Sequence, residues 1–151
     1  MPMKCFLNIL FFLFIFINSV SAQPVSWNFS YKKKDKTTGE LIFSANIEKG
    51  WHIYSIHQTG DGPIATSILF DENKSISFIN GLVESTPEKK FSEVFGIEVS
   101  SFSSHAEFRQ ELKINSKSNT VIKGILEFMA CNEVSCLPPK TINFEVQIKA
   151  D

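Results

Sequence analysis

The stretch Val25-Ser26-Trp27-Asn28-Phe29-Ser30-Tyr31 alternates large apolar and polar side chains without interruption. Because successive side chains of a strand point to opposite faces, this period of two predicts a strand that buries one face. The same period returns in residues 41–47 and 142–148. The chain is therefore predicted to be a β protein.

Weaker strand signals occur in six further stretches, namely residues 51–56, 66–70, 75–79, 98–102, 108–114 and 121–130. Glycine, asparagine, aspartate or proline separates many of them, and no convincing helix pattern, repeat or linker follows residue 22. Regular short strands favour two packed antiparallel sheets. The pattern alone allows a sandwich or a barrel.

The N-terminus is typical of a secretory signal. Lys4 precedes the apolar run Phe6–Ile17, and Val20-Ser21-Ala22 gives the small-residue pattern before Gln23. We therefore expect cleavage after Ala22, which discards Cys5 and leaves residues 23–151 as one domain. No later apolar stretch approaches the ~20 residues that span a bilayer, so the mature chain is expected to be soluble and not membrane-spanning.

The charge balance does not indicate a strong electrostatic partner. Lys4 is the only charged residue of the signal, so the mature chain carries 14 basic and 16 acidic residues, a net charge of −2. Nucleic-acid binding is not expected for such a balance. The cationic run 32–36 precedes Thr37-Thr38-Gly39 and is interpreted as a solvated hairpin turn, not as a membrane-surface or acidic-partner patch.

Cys131 and Cys136 are the only thiols that the mature chain should keep, in the stretch Phe-Met-Ala-Cys-Asn-Glu-Val-Ser-Cys-Leu-Pro-Pro of residues 128–139. In an oxidising compartment they can form a disulfide. The chain-entropy model gives such a six-residue loop about 2 kcal/mol, against about 4 to 5 for a loop of ~100 residues. A disulfide that contributes so little stability can open reversibly while the fold survives, as redox exchange requires. A structural bridge and a metal site remain open alternatives.

This stretch resembles the redox hairpin of the N-terminal periplasmic domain of the thiol:disulfide interchange protein DsbD. Residues 50–55 (Gly-Trp-His-Ile-Tyr-Ser) and 91–96 (Phe-Ser-Glu-Val-Phe-Gly) agree with it in order and spacing. The resemblance implies an immunoglobulin-like antiparallel β-sandwich, a periplasmic location and thiol–disulfide exchange without a bound cofactor. It also implies that Cys136 attacks partners and that Cys131 resolves the mixed disulfide.

The resemblance assigns supporting roles to two further segments. It places the strand of His52 and Tyr54 beside the cysteines, where an imidazole can stabilise a thiolate or relay its proton; the alternative is an ordinary aromatic strand face. It makes the loop 91–96 a cap over the disulfide, with Phe95 as the main cap residue and Val94 or Phe91 as alternatives. Glu93 is expected to accept a proton or raise a cysteine pKa. The alternative for Phe95 is core packing.

The resemblance further implies thioredoxin-like partners, such as a disulfide isomerase or a cytochrome c maturation thioredoxin. The full-length family protein adds a membrane-spanning core and a thioredoxin-like domain, so we expect a membrane reductase to act in trans. Two other functions stay open: a non-catalytic binding or assembly module with a structural disulfide, and a copper-binding domain using Met129. His57 and His105 do not complete a recognised metal-ligand spacing.

Overall fold

The computed structural model describes residues 23–149, so the predicted signal peptide 1–22, with its cleavage site and Cys5, lies outside the described residues. These residues form twelve β-strands and no helix. The strands are β1 Val25–Lys33, β2 Thr38–Ile47, β3 His52–Tyr54, β4 Ser67–Phe70, β5 Ile76–Phe78, β6 Val83–Glu84, β7 Glu88–Ser92, β8 Ile97–Ser103, β9 His105–Ile114, β10 Thr120–Phe128, β11 Ala130–Cys131 and β12 Lys140–Ile148.

The strands pair antiparallel throughout. One sheet runs β1-β2-β9-β5, with β6 also on β9; a second runs β12-β10-β4; a third runs β11-β3-β8-β7. The expected antiparallel β-sandwich of the immunoglobulin-like class is confirmed. The expectation of two sheets was too simple, because the short strands that surround the cysteines form a third sheet of their own.

Alternation in the sequence builds the core, as predicted. In β2 the buried side chains are those of Leu41, Phe43, Ala45 and Ile47. Phe43 packs edge-on against Phe144 of β12, with ring centroids 5.0 Å apart, and so joins the first two sheets. The strands β1, β10 and β12 contain nine residues each and therefore span about 27 to 30 Å.

The third sheet is connected to the second through the short link between β10 and β11. The sequence predicts a single strand over residues 121–130, but β10 ends at Phe128 and β11 starts at Ala130. β10 pairs with β12 and β4, whereas β11 pairs with β3. The chain therefore changes sheets at Met129, two residues before Cys131.

Candidate functional site

Cys131 and Cys136 form a disulfide, with the two sulfur atoms 2.02 Å and the Cα atoms 4.0 Å apart. The loop between them is a turn held by one side chain. Oδ1 of Asn132 accepts hydrogen bonds from the backbone N–H groups of Val134 at 2.9 Å and Ser135 at 2.8 Å. Because these bonds do not involve sulfur, the turn has support that is independent of the disulfide.

The two ends of the loop also meet through the backbone. The N–H of Leu137 donates to the carbonyl of Ala130 at 2.9 Å, and that of Asn132 donates to the carbonyl of Ser135 at 2.9 Å. Pro138 and Pro139, which have no N–H, follow directly, and β12 begins only at Lys140. The cysteines thus lie at the join between β10 and β12, as the sequence predicts.

The two sulfur-bearing residues differ in exposure. Cys131 is 1% exposed, whereas Cys136 is partly exposed. Both belong to a small apolar cluster separate from the main core, whose other members are Tyr54, Phe95, Ile97, Val99 and Met129. An attacking thiolate that approaches from solvent therefore meets Cys136 before Cys131.

His52 lies directly opposite Cys131 in the β3–β11 pair. Directly opposed residues of antiparallel strands point to the same face, so the imidazole shares a face with the buried sulfur. Nε2 of His52 is 3.0 Å from the hydroxyl oxygen of Tyr54, and the two rings meet edge to face. The structure thus brings the predicted His52 and Tyr54 together on the cysteine side of β3.

Burial sets the protonation of this pair. It lowers the pKa of His52 below the ordinary 6.5; the charge of Glu133 opposes the shift and that of Lys90 adds to it. Burial, with a contribution from Glu133, raises the pKa of Tyr54 to about 12. In neutral solution these shifts favour the uncharged imidazole of His52 and the protonated phenol of Tyr54.

Phe95 is the one predicted cap candidate that packs into the cysteine cluster. It lies in the turn between β7 and β8, and its ring meets that of Tyr54 edge to face with centroids 6.2 Å apart. Val94 and Phe91 are 45% and 55% exposed. Phe91 and Ser92 belong to β7, so the predicted loop 91–96 is shorter than expected and consists of residues 93–96.

Glu93 is exposed and lines a cavity of about 150 Å³ together with His52, Tyr54, Val94 and Glu133. No pattern in the sequence predicts a lysine at this site, yet Nζ of Lys90 in β7 lies 3.1 Å from the carboxylate of Glu133. This ion pair joins the strand before the Phe95 turn to the cysteine loop. The two residues are 43 positions apart, so only the pairing of the strands reveals their contact.

Metal ligands are sparse around the cysteines. Within residues 23–149 no group of three or more histidine, cysteine, aspartate or glutamate side chains is placed to hold a metal ion. Met129 packs in the cysteine cluster, whereas His57 and His105 are exposed. Residues 23–149 also contain no candidate membrane-spanning helix.

Comparisons with known proteins give a family for the chain and solved structures of similar fold. The model of the family described as thiol:disulfide interchange protein DsbD, N-terminal, matches residues 19–148. The N-terminal periplasmic domain of ScsB from Proteus mirabilis superposes with a TM-score of 0.54 at 17% identity, over 83% of this chain. This chain spans 45% of that ScsB chain. The likeness at this identity concerns the fold.

Two structures from Neisseria meningitidis are also similar. The reduced DsbD N-terminal domain has a TM-score of 0.45 at 19% identity, covering 76% of this chain and 87% of its own. A complex of the DsbD and PilB N-terminal domains gives 0.48 at 16%, covering 79% and 80%. No curated protein sequence matches significantly. Since the family match extends over residues 19–148, the chain belongs to the family of DsbD N-terminal domains.

Proposed function

We propose that this chain is a periplasmic thiol–disulfide relay that passes electrons between thioredoxin-like proteins through Cys131 and Cys136. The observation that carries the proposal is the asymmetry of the disulfide: one cysteine is buried, the other is partly exposed, and both lie in one small apolar cluster with Phe95. A bridge that closes only six residues contributes about 2 kcal/mol to the fold, so it can open without unfolding the chain.

In the first half of the relay a thiolate of a reduced partner attacks the sulfur of Cys136. The Cys131–Cys136 bond breaks, Cys131 leaves as a thiolate and takes up a proton, and the partner is joined to Cys136 as a mixed disulfide. The second thiol of the partner then attacks the partner's own sulfur and releases Cys136. Two electrons and two protons have entered this chain, and the partner has become a disulfide.

In the second half the thiolate of Cys136 attacks the disulfide of an oxidised acceptor. The thiolate of Cys131 then attacks the sulfur of Cys136, which restores the original bridge and releases the acceptor as a dithiol. A buried thiol ionises reluctantly. We assign the imidazole of His52, which lies opposite Cys131 in the sheet, the role of accepting the thiol proton of Cys131. The hydroxyl of Tyr54 orients the imidazole through its hydrogen bond to Nε2.

The turn 93–96 forms the proposed cap over the disulfide. Phe95 shields the cluster from small thiols, Val94 beside it offers an exposed apolar contact, and a docking partner displaces the turn. We assign Glu93 the role of a nearby carboxylate that holds or receives a proton as the cysteines titrate. Its position on the wall of the cavity with His52 supports this role.

The proposed partners follow from family membership. They are thioredoxin-like periplasmic proteins, either a disulfide isomerase or a cytochrome c maturation thioredoxin, with a membrane reductase that supplies electrons in trans. Export by the segment 1–22, with cleavage after Ala22, and a single domain over residues 23–151 complete the proposal.

The reduction potential of the bridge tests the proposal. Equilibration with defined ratios of reduced and oxidised glutathione, followed by alkylation and mass analysis, should give a value in the range of about −120 to −270 mV that exchange proteins occupy. A value below about −300 mV would instead indicate a structural bridge and a non-catalytic module. The Cys131→Ser/Cys136→Ser variant is the control, since it should show no redox-dependent alkylation.

A further inference from the structure

A cavity of about 430 Å³ lies beneath the turn between β1 and β2. Four exposed lysines from separate parts of the chain line it: Lys33 ends β1, Lys36 lies in the turn, Lys117 lies between β9 and β10, and Lys149 follows β12. Apolar side chains of Tyr31, Ile114 and Ile148 also line it. The sequence shows only the run 32–36, because Lys117 and Lys149 join it through the fold.

This cavity and the disulfide occupy opposite ends of the molecule. β1 starts at Val25, which lines a groove with Leu137 and the prolines after Cys136, and it ends at Lys33. β12 likewise starts beside that groove at Lys140 and ends at Ile148, against the lysine cavity. Nine-residue strands place the two ends about 27 to 30 Å apart.

The acidic groups at the lysine end are already engaged. Lys34 lies 3.5 Å from Glu40 and 3.1 Å from Glu111. Hydrogen bonds from the hydroxyl and backbone N–H of Thr38 and from the N–H of Thr37 lower the pKa of Asp35 to about 2, so its carboxylate stays ionised and is bonded to the threonines of the turn and not to a lysine.

Three of the cavity lysines have no such partner. Among residues 23–149, Lys36, Lys117 and Lys149 form no ion pair. The cavity thus presents positive charge that the described part of the chain does not neutralise.

The disulfide end has the opposite character. Glu88, Glu93 and Glu133 line the cavity beside His52, with Lys90 as the only cation among them. The lining of the lysine cavity is therefore more positive than the lining of the cavity beside His52. Near a negatively charged surface such a molecule is oriented with its lysine end inward.

We propose that the lysine cavity binds the phosphate groups of anionic phospholipids and docks this end of the molecule on a membrane surface. Lysine ammonium groups are separate, strongly hydrated point charges, and the cavity holds no arginine to grip a single phosphate with two bonds. Separate charges suit many headgroups spread over a surface, where each lysine adds about a fivefold gain in binding. The apolar walls suit the glycerol backbone beside the phosphate.

Docking in this orientation turns Cys136 and the Phe95 turn away from the membrane and toward soluble partners. The proposal is independent of the thiol chemistry, since it involves none of the residues of the cysteine cluster. Replacing both cysteines should therefore leave membrane binding unchanged, and loss of redox activity would not count against it.

Co-sedimentation with vesicles tests the proposal. The chain 23–151 should sediment with vesicles that contain phosphatidylglycerol and phosphatidylcholine in equal amounts, and not with pure phosphatidylcholine vesicles. Lys117→Gln/Lys149→Gln should lower the partition coefficient by about twenty-five-fold, at about fivefold for each lysine. Lys49→Gln/Lys89→Gln removes the same charge from exposed sites away from the cavity and should lower it far less.

Three results would overturn the proposal. The first is no binding of the wild-type chain to phosphatidylglycerol vesicles at low salt. The second is an equal loss in both lysine variants, which would mean diffuse attraction and no cavity site. The third comes from titration with glycerol phosphate: if it shifts the amide signals of Lys117 and Lys149 but leaves vesicle binding of the wild-type chain unchanged, the cavity is a site for a soluble phosphate and not for the membrane. Circular dichroism of each variant confirms that the fold is intact.

Discussion

Cys131 and Cys136 are equivalent in chemistry but not in position. Cys131 is paired with His52 within the third sheet, whereas Cys136 lies beyond the turn, before two prolines that cannot extend a ladder. If exposure decides the order of attack, Cys131→Ala should trap a mixed disulfide when the Cys136 thiolate attacks the disulfide of an oxidised thioredoxin-like protein. Cys136→Ala should trap few. Non-reducing electrophoresis with mass analysis of the trapped species measures both.

The double cysteine variant is the control for trapping, since it should give none. More trapping by Cys136→Ala than by Cys131→Ala would reverse the assigned roles. Equal trapping would mean that partners reach both sulfur atoms and that the difference in exposure does not affect the rate of attack.

His52 predicts a pH dependence of stability. Because burial lowers its pKa in the folded chain, the unfolded chain binds a proton more readily as pH falls past 6.5. The contribution of His52 is thus fully present above pH 6.5 and is lost as pH falls toward its folded pKa. His52→Gln, which keeps a hydrogen-bonding group beside Tyr54 but does not titrate, should flatten the dependence of the urea unfolding free energy across this window.

The exposed His57 provides the matched control, since His57→Gln should leave the slope as it is in the wild type. An unchanged slope in His52→Gln would show that the imidazole at position 52 is as solvated in the folded chain as in the unfolded one. It would also remove the reason for assigning it a proton from Cys131.

Single residues at this site are partly predictable from sequence. His52 and Tyr54 are two positions apart on a strand, which is sufficient to put them on one face, and their hydrogen bond agrees with that expectation. Lys90 could not be predicted in the same way. Its contact with Glu133 depends on β7 being added to the third sheet, and no periodicity in either segment encodes that pairing.

The turn between β7 and β8 carries Phe95, the proposed cap over the disulfide. Phe95→Ala should accelerate reduction of the disulfide by dithiothreitol several-fold, because the ring packs against the cysteine cluster. Reduction by a docking protein should change less, since the partner displaces the turn in either case. Stopped-flow measurements with both reductants provide the rates.

Val94→Ala is the matched control, because Val94 is next to Phe95 in the same turn but outside the cluster. It should leave the dithiothreitol rate near the wild-type value. If Phe95→Ala also leaves that rate unchanged while stability falls by the ~3 to 5 kcal/mol typical of a buried phenylalanine, then Phe95 is a core residue and not a cover.

The long strands can be predicted from the alternation of apolar and polar residues, whereas the short strands cannot. β2 and β12 show their alternation because one face is buried along the whole strand. β6 and β11 contain two residues each, too few for any period to appear, and β7 is largely exposed on both faces. These strands exist because a neighbour accepts their backbone hydrogen bonds, and that information lies elsewhere in the chain.

Over the whole molecule, the main core and the cysteine cluster are distinct. The core joins all three sheets through fully buried side chains such as Leu41, Phe43, Phe108 and Leu126. The cysteine cluster has only Tyr54, Val99 and Cys131 fully buried. The alternating long strands make the core predictable from the sequence, whereas the cluster is assembled from three short strands and two turns.

This separation predicts that reduction leaves the fold intact. The core contains neither cysteine, Asn132 holds the loop without sulfur, and the bridge closes only six residues, which is worth about 2 kcal/mol. The far-ultraviolet circular dichroism spectrum should therefore be unchanged by dithiothreitol at room temperature, and the urea midpoint should fall only slightly. The Cys131→Ala/Cys136→Ala variant should match the reduced wild type in both measurements. If the β signal is lost on reduction, the bridge is a structural staple, and a relay that must open it in every cycle cannot operate.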